Sequence, residues 1–492
     1  MRPAGDIKVW CRFLTRGRGA PSERDTVAAI SGAGLTVCAH DANARSNNNN
    51  GGGCNGSSGI LFFDGACEEV YDFLRESSRG GLERVLAIAC GGKGALANGD
   101  AWELLCAGAS DVLAWSHPSE TAAAAAARFA RWAEVDRIVE SPLVKENLVG
   151  ESPAWKSVLR RAVEVARFTD SSVLILGESG TGKELLARLI HTLDARPNKG
   201  ELIILDCTTV VAELSGSEFF GHERGSYTSA TYAREGAFAL ADRGTLFLDE
   251  VGELTPRLQS ELLRVVQDGT YKRVGSNAWK QTSFRLVCAT NRNLLCEEES
   301  QFRRDFFHRI AGWTCVLPSL AERTADIPHL VRHFLRRLCT NGDEPPELDE
   351  PVREYLLGRE YRGNVRELKA VVERMARRHV GGGAITVGDV DEMMRPSSHA
   401  GNSASREWRD DGFESAIRRA VALGVGLKEI GNAATETAIR VAVGDEDGNL
   451  QRAARRLGVT DRALQMRRAS QREEQKQPAA TSPINSNGNH QK

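Results

Sequence analysis

Several features that would decide the class of a protein are missing from this 492-residue sequence. No apolar run approaches the roughly 18 residues that a membrane-spanning helix needs, and the basic N-terminal stretch has no hydrophobic core of signal-peptide length. The 11 cysteines form no C-x-x-C pair and no spacing with histidine that is typical of a metal site. We therefore expect a soluble, cytoplasmic protein with no membrane partner, whose cysteines are buried or free thiols.

The sequence also has little net charge, -2, because 64 Lys and Arg residues oppose 66 Asp and Glu residues. The average charge therefore says nothing about partners, but its distribution does. Residues 449–476 contain eight basic and three acidic residues. This local excess indicates a polyanionic partner. The length predicts about three or four domains.

The N-terminal third is predicted to be a basic, unstructured tail (1–25) followed by a small α/β domain (26–135). Short apolar runs at 60–63, 85–89 and 111–115 predict strands, and an Asn/Gly-rich loop at 47–53 interrupts the pattern. Asp64 directly follows the first of these runs. A charged stretch, 136–147, is interpreted as a linker to the next domain.

This N-terminal pattern resembles a response-regulator receiver domain, in which an aspartate at a strand end is phosphorylated. Asp64 is the candidate for that position. The hydroxyl and the lysine expected after the next strands are replaced by Ala89-Cys90 and Ser116-His117-Pro118, and Asp41 is the one early acid nearby. Without metal-binding acids and a lysine an aspartyl phosphate is poorly stabilised. We predict a degenerate regulatory domain, with phosphorylation of Asp64 as the less favoured alternative.

A glycine-rich segment, residues 177–184, lies between an apolar run at 173–176 and a helical pattern that starts at Leu185. Strand, glycine turn and helix are the context of a P-loop, whose backbone N–H groups and lysine hold phosphates. A glycine-rich turn before an ordinary helix is the alternative. The strict motif ends in Ser or Thr, whereas Glu184 stands here. The predicted ATP-binding residues are Gly177, Glu178, Ser179, Gly180, Thr181, Gly182, Lys183 and Glu184.

Strands are predicted at 173–176, 201–205, 245–248, 284–289 and 314–317, and helical patterns separate them. This alternation predicts a doubly wound parallel sheet (148–322) with a helical lid (323–394). The strand at 245–248 ends in Asp249 and Glu250. In a P-loop ATPase, such a pair holds the magnesium shell and activates the attacking water. ATP and magnesium are therefore the predicted cofactors.

From about Leu148 to Met394 the order of motifs resembles the AAA+ domain of sigma-54-dependent transcriptional activators, in which glutamate after the P-loop lysine is common. The resemblance implies a γ-phosphate sensor at Asn291, arginine fingers at Arg303 and Arg309, and a nucleotide-contacting lid arginine at Arg366. Arginine fingers act on a neighbouring subunit, so a ring is implied, a hexamer by analogy with the family. The implied sigma-54 contact loop is Gly225, Ser226, Tyr227, Thr228, Ser229 and Ala230.

Two departures from this family bear on mechanism. In the contact loop, serine replaces alanine at 226 and glycine at 229, and the lost glycine restricts the backbone. Asp206 stands where the family has an asparagine that restrains the catalytic glutamate. We predict that Asp206 acts as this switch, and that it faces Glu250 and raises the pKa of that carboxyl by repulsion.

After a predicted linker (395–412), residues 413–475 are predicted to form a helix-turn-helix domain, followed by a disordered tail (476–492). The segment from Asn449 to Gln465 resembles the Fis-type DNA-binding end of the same activators. Its second helix would enter the major groove, while a basic helical hairpin without DNA is the alternative. The predicted DNA-binding residues are Thr460, Asp461, Arg462, Gln465, Arg467 and Arg468.

Together these features predict an ATPase that binds upstream double-stranded DNA as a dimer, assembles into a ring and remodels the closed complex of sigma-54 RNA polymerase. One alternative is a DNA-binding regulator that has lost contact with sigma-54 and acts by promoter occupancy. A second, an AAA+ chaperone, does not account for the C-terminal helix-turn-helix.

Overall fold

The computed structural model describes residues 7–15, 22–38, 58–90, 96, 99–210, 214–227, 230–292, 294, 302–339, 344–395, 411–422, 425–446 and 449–460. The chain divides into two compact units, Met1–Met394 and Arg395–Lys492. The first unit contains two five-stranded sheets and a helical subdomain. Among the described residues no helix is both long enough and apolar enough to cross a membrane.

The first sheet is built from β1 (Ile7–Leu14), β2 (Leu35–Cys38), β3 (Gly59–Phe63), β4 (Val85–Ala89) and β5 (Asp111–Ala114). All its strands are parallel, in the order β2-β1-β3-β4-β5. This is the order of flavodoxin-like doubly wound folds, which receiver domains share. The accompanying helices are α1 (Glu23–Gly32), α2 (Glu68–Ser78), α3 (Asp100–Cys106) and α4 (Pro118–Val139).

The prediction that residues 1–25 are unstructured is wrong, because β1 lies between β2 and β3 and α1 begins at Glu23. Side chains of β1 alternate between the two faces of the sheet. Val9 packs into the core on one face, and Trp10 packs into the core on the other. The period of two was visible in the sequence at Ile7, Val9, Cys11 and Phe13, although Lys8 and Arg12 interrupt the apolar run.

The predicted linker, residues 136–147, is also corrected by the structure. Helix α4 continues to Val139 and α5 (Pro142–Lys145) follows directly. Phe129 on α4 packs against the first sheet, whereas Val139 and Val144 are buried in the core of the second. Because α4 reaches the first core through Phe129 and the valines after it bury in the second core, the joint between the α/β domains is helical and packed.

The second sheet consists of β6 (Val173–Leu176), β7 (Leu202–Asp206), β10 (Thr245–Asp249), β13 (Arg285–Thr290) and β14 (Trp313–Val316). It is parallel throughout, in the order β14-β6-β13-β10-β7. All five predicted strands are present, each shifted by at most one residue. Their apolar runs were readable because both faces of the sheet are covered.

Helices pack on both faces of this sheet, and two short hairpins accompany it. The helices are α6 (Pro153–Phe168), α7 (Lys183–Leu193), α8 (Ser215–Phe220), α9 (Ala237–Leu240), α10 (Pro256–Asp268) and α11 (Arg304–Ile310). Two antiparallel hairpins join the strands β8 (Gly221–His222) with β9 (Arg234–Glu235), and β11 (Thr270–Lys272) with β12 (Trp279–Gln281).

A helical subdomain with its own apolar core follows the second sheet. A short 3-10 segment, Ala321–Asp326, leads into α12 (Ile327–Leu338), α13 (Glu350–Gly358) and α14 (Asn364–Arg378). Leu330, Val352 and Leu368, one from each helix, belong to this core. This subdomain occupies the region predicted to be the lid.

The second unit contains α15 (Asp411–Ala422), α16 (Leu427–Asp445) and α17 (Leu450–Arg456) in its described part. Asn449 caps α17 by accepting hydrogen bonds from two backbone N–H groups of its first turn. Ala453 and Ala454 are buried, and Gly458 adopts a left-handed conformation (φ 66°) in the turn that follows. The predicted second helix after Thr460, and most of the predicted linker before α15, lie outside the described residues.

Candidate active site

The glycine-rich segment lies between β6 and α7, as predicted for a P-loop. Gly180 and Gly182 have left-handed φ values of 79° and 108°, which a glycine adopts without strain. The segment borders a cavity of about 670 Å³ between the second sheet and the helical subdomain. Backbone N–H groups at the start of α7, together with Lys183, give this cavity a wall of hydrogen-bond donors and positive charge, the chemistry that suits a phosphate.

Lys183 is buried at the start of α7, and its ammonium group bridges two parts of the site. The Nζ atom lies 3.1 Å from Glu250 Oε1 and donates a hydrogen bond of 2.9 Å to the carbonyl of Gly177. The P-loop lysine and the predicted catalytic glutamate therefore meet in one cavity.

Glu184, the residue that departs from the strict P-loop motif, borders the cavity and pairs with a residue of its own helix. Its Oε1 accepts hydrogen bonds from Arg188, one turn further along α7, with a shortest distance of 2.7 Å. Such i, i+4 pairs form on the outer surface of helices. The side chain thus stabilises α7 locally.

Asp249 and Glu250 end β10 at the carboxyl edge of the sheet. Burial and the neighbouring charge of Glu250 raise the pKa of Asp249 above its ordinary value. Glu250 has a left-handed backbone (φ 50°), an unusual conformation for a residue with a side chain. Its Oε2 accepts a hydrogen bond of 3.0 Å from the backbone N–H of Asn291, directly after β13. This contact and Lys183 fix the orientation of the carboxylate.

Asp206 pairs in register with Asp249 across β7 and β10. Its Oδ1 accepts hydrogen bonds from the backbone N–H (2.9 Å) and the hydroxyl (2.7 Å) of Thr208. The charge of Asp206 adds to the rise in the pKa of Asp249. The charge of Asp206 therefore acts on the carboxyl group of Asp249, and Asp206 itself is held in a local turn by Thr208.

Two arginines approach the P-loop from the lid side. Arg366 Nη1 donates a hydrogen bond of 3.1 Å to the hydroxyl of Ser179. Arg323, which sequence reasoning missed, is buried over the ring of Trp155 and donates a 3.1 Å hydrogen bond to the carbonyl of Thr181. Arg323 stands in an otherwise polar turn, and its sequence context carries no signal of this contact.

The predicted arginine fingers lie at the two ends of α11, and both are exposed. Arg303 pairs with Asp305 at 2.7 Å, and Arg309 donates a 3.1 Å hydrogen bond to the carbonyl of Val266. Neither arginine is among the described residues that line the cavity beside Lys183. The two guanidinium groups therefore lie outside the described lining of their own chain's cavity.

The predicted contact loop is described at Gly225, Ser226, Tyr227 and Ala230, whereas Thr228 and Ser229 lie outside the described residues. The loop is closed by a 2.8 Å hydrogen bond from the N–H of Gly225 to the carbonyl of Ala230. Tyr227 packs edge-on against His222 with ring centroids 5.0 Å apart. The buried Oγ of Ser226 has no hydrogen-bond partner among the described residues.

In the N-terminal domain, Asp64 directly follows β3, and Cys90 follows the adjacent β4. Burial and the nearby carboxylate of Asp64 raise the pKa of the Cys90 thiol to about 11. No group of three or more acids, histidines or cysteines that could hold a metal ion is found in the described part of the chain. Of the predicted DNA-binding residues, Thr460 is described, and Asp461, Arg462, Gln465, Arg467 and Arg468 lie outside the described residues.

The fold and the site define an AAA+ P-loop domain with a nucleotide cavity between its α/β core and its helical lid. Family models support this class: the Sigma-54 interaction domain matches residues 148–315, and the AAA+ ATPase lid domain matches residues 321–407.

Comparison with curated proteins gives the same family. Transcriptional regulatory protein ZraR of Klebsiella oxytoca is 36% identical over 331 residues, which cover 66% of this chain and 69% of that protein. The Nif-specific regulatory protein of Bradyrhizobium diazoefficiens is 44% identical over 237 residues, or 48% of this chain and 40% of its own length. This chain therefore belongs to the family of sigma-54-dependent transcriptional activators.

Among solved structures, NtrX from Brucella abortus in complex with ADP has a TM-score of 0.45 at 24% identity, covering 95% of this chain and 99% of that one.

Proposed function

We propose that this protein hydrolyses ATP and uses the energy to convert the closed complex of sigma-54 RNA polymerase into an open one. The observation that carries the proposal is the meeting of Lys183, Asp249, Glu250 and Arg366 around one cavity, in a chain of this activator family. These groups supply the phosphate grip, the metal-binding acid, the base and the lid contact of a P-loop ATPase.

The residues around the cavity fit ATP with magnesium. The P-loop backbone and Lys183 would hold the phosphates, and Asp249 would hold the metal through its water shell. Bound magnesium neutralises charge that develops on the phosphates during phosphoryl transfer. Glu184, paired with Arg188, leaves this role to Asp249.

Glu250 is the candidate base that orients and deprotonates the attacking water. Its carboxylate is held by Lys183 and by the N–H of Asn291, so its direction depends on both the P-loop and β13. When ATP binds, its phosphates would compete with Glu250 for the ammonium group of Lys183, which would free the carboxylate for water. In this proposal Asn291 senses the γ-phosphate and Asp206 biases Asp249.

Arg303 and Arg309 are proposed to complete the site of a neighbouring subunit. Both are exposed and lie away from their own chain's cavity, which supports a shared site. In a ring, hexameric by resemblance to the family, these two arginines of each subunit would lie beside the P-loop of the next subunit. The loop from Gly225 to Ala230 would deliver the movement to sigma-54, and the C-terminal helices would bind upstream DNA as a dimer in the cytoplasm.

Transcription in vitro from a sigma-54 promoter tests the proposal. The wild-type protein with ATP should produce open complexes that permanganate footprinting detects, and Lys183→Ala should produce none while still binding DNA. The absence of ATP-dependent opening by the wild-type protein would contradict the proposal.

One observation favours a second candidate function, a DNA-binding regulator that acts by promoter occupancy. The buried Oγ of Ser226 has no described partner, and its Cβ would lie 2.6 Å from a Cβ placed on Gly275 of the neighbouring hairpin. The loop thus buries a hydroxyl that an alanine at this position would lack. ATP hydrolysis and DNA binding without promoter opening would establish this second function.

A further inference from the structure

The joint between the P-loop and the lid centres on one residue that the sequence motifs did not assign. Asn364 begins α14, is 1% exposed, and has a left-handed backbone with φ 50°. A buried asparagine in this conformation costs stability unless its side chain is used. All three hydrogen bonds that its side chain makes with the described residues connect separate parts of the ATP site.

Two of these bonds go to the P-loop. The Nδ2 group of Asn364 donates to Glu178 Oε2 at 2.9 Å and to the carbonyl of Ser179 at 3.1 Å. The third goes to the connection between core and lid, where the N–H of Leu320 donates to Oδ1 at 2.7 Å. One amide group therefore joins the P-loop, the connector and the lid helix.

The backbone around Asn364 reinforces this joint. The N–H of Val365 donates to the carbonyl of Gly180 at 3.1 Å. A Cβ at Gly180 would lie 2.2 Å from the carbonyl oxygen of Gly363, so the two segments can approach this closely because residue 180 is a glycine. Arg366, two residues further on, reaches Ser179 from the same helix start.

We infer that Asn364 is a positioning residue of the ATPase: it fixes the start of α14, and therefore Arg366, against the P-loop. A displacement of Glu178 or Ser179 as nucleotide binds is transmitted through this amide to the lid. Because α14 packs on α12 in the lid core, the whole lid follows. The inference rests on the proposed ATPase function and adds the contact through which the P-loop and the lid move together.

The test replaces the amide while keeping its shape. In Asn364→Asp, Oδ1 can still accept from Leu320, but the second oxygen opposes the Glu178 carboxylate and the Ser179 carbonyl. The KM for ATP and the Kd measured by calorimetry with ATP should rise about tenfold, since a hydrogen bond to a charged group is replaced by repulsion. Adding Glu178→Gln provides a new N–H donor toward the new carboxylate, and both constants should return to within about threefold of wild type.

Asn198 provides a matched control, because it also has a left-handed backbone (φ 52°) and lies exposed in a turn after α7. Asn198→Asp should leave both constants at their wild-type values. If Asn364→Asp does not fold, Glu178→Ala breaks the same contact from its exposed side and should raise KM in the same way.

A wild-type KM in Asn364→Asp, a wild-type KM in Glu178→Ala, or a rise in KM that Glu178→Gln does not reverse would overturn the inference. These outcomes are distinct from failure of the proposed function, in which the wild-type protein itself neither binds nor hydrolyses ATP. A purely structural role would lower the unfolding midpoint without rescue of KM by the second substitution.

Discussion

Mixing two inactive variants provides a direct test of a shared active site. Lys183→Ala removes the ammonium group that is proposed to hold the phosphates of ATP. Arg309→Ala removes an arginine that lies outside the described lining of its own chain's cavity. Lys183→Ala alone should be inactive, and Arg309→Ala alone should lose about three to five decades of turnover, the range that arginine fingers supply. Because Arg309 is exposed and makes one hydrogen bond to a carbonyl, its loss should cost about 1 kcal/mol or less of folding stability.

In a mixture of equal amounts, a working interface needs an intact Lys183 from one variant and an intact Arg309 from the other. Random assembly makes about one quarter of the interfaces complete in a ring of head-to-tail contacts. Steady-state ATPase should therefore recover to about one quarter of the wild-type rate, if the interfaces work independently. No recovery, although differently tagged variants copurify in one assembly, would refute the shared site, as would wild-type turnover in Arg309→Ala alone.

Three further predictions concern the packed joint, the contact loop and pH. Val144→Ala should lower the free energy of unfolding in urea by about 2 kcal/mol, because a buried side chain leaves a cavity, whereas exposed Val387→Ala should change it by less than about 0.5 kcal/mol. Ser226→Ala should raise the melting temperature by removing an unpartnered buried hydroxyl, while Ser217→Ala should lower it by breaking a 2.6 Å hydrogen bond; the opposite order would contradict the loop geometry. Burial lowers the pKa of His191, so below about pH 6.5 the unfolded chain binds more protons than the folded chain. Stability therefore decreases as the pH is lowered. His191→Asn should reduce this fall in urea titrations between about pH 7 and pH 5, and an unchanged slope would argue against the lowered pKa.

Much of the AAA+ core was predictable because its signals are local. Strands that are covered on both faces appear as short apolar runs, and all five were found within one residue. Lys183, Asp249 and Glu250 follow such runs directly, so the parallel sheet brings them to one edge. Their meeting at 3.1 Å between Lys183 and Glu250 agrees with that expectation.

The errors fell where burial depends on distant partners. Lys8 and Arg12 made β1 look like a basic tail, yet it is an interior strand of the sheet because β2 and β3 pair with it on either side. The charges of residues 136–147 suggested a linker, but Val139 and Val144 face a core that forms from residues far along the chain. The composition of such a segment counts its charged and apolar residues together, whereas packing depends on which face of the helix or strand each side chain occupies.

The sequence by itself determined the class of the domain, because glycine spacing, apolar runs and acids at strand ends are properties of neighbouring residues. Tertiary structure alone decided which hydrogen bonds join the P-loop to the lid. Asn364 and Glu178 are separated by 186 positions, yet their side chains form a 2.9 Å hydrogen bond. No local pattern specifies such a contact, because it depends on the way the core and the lid pack together.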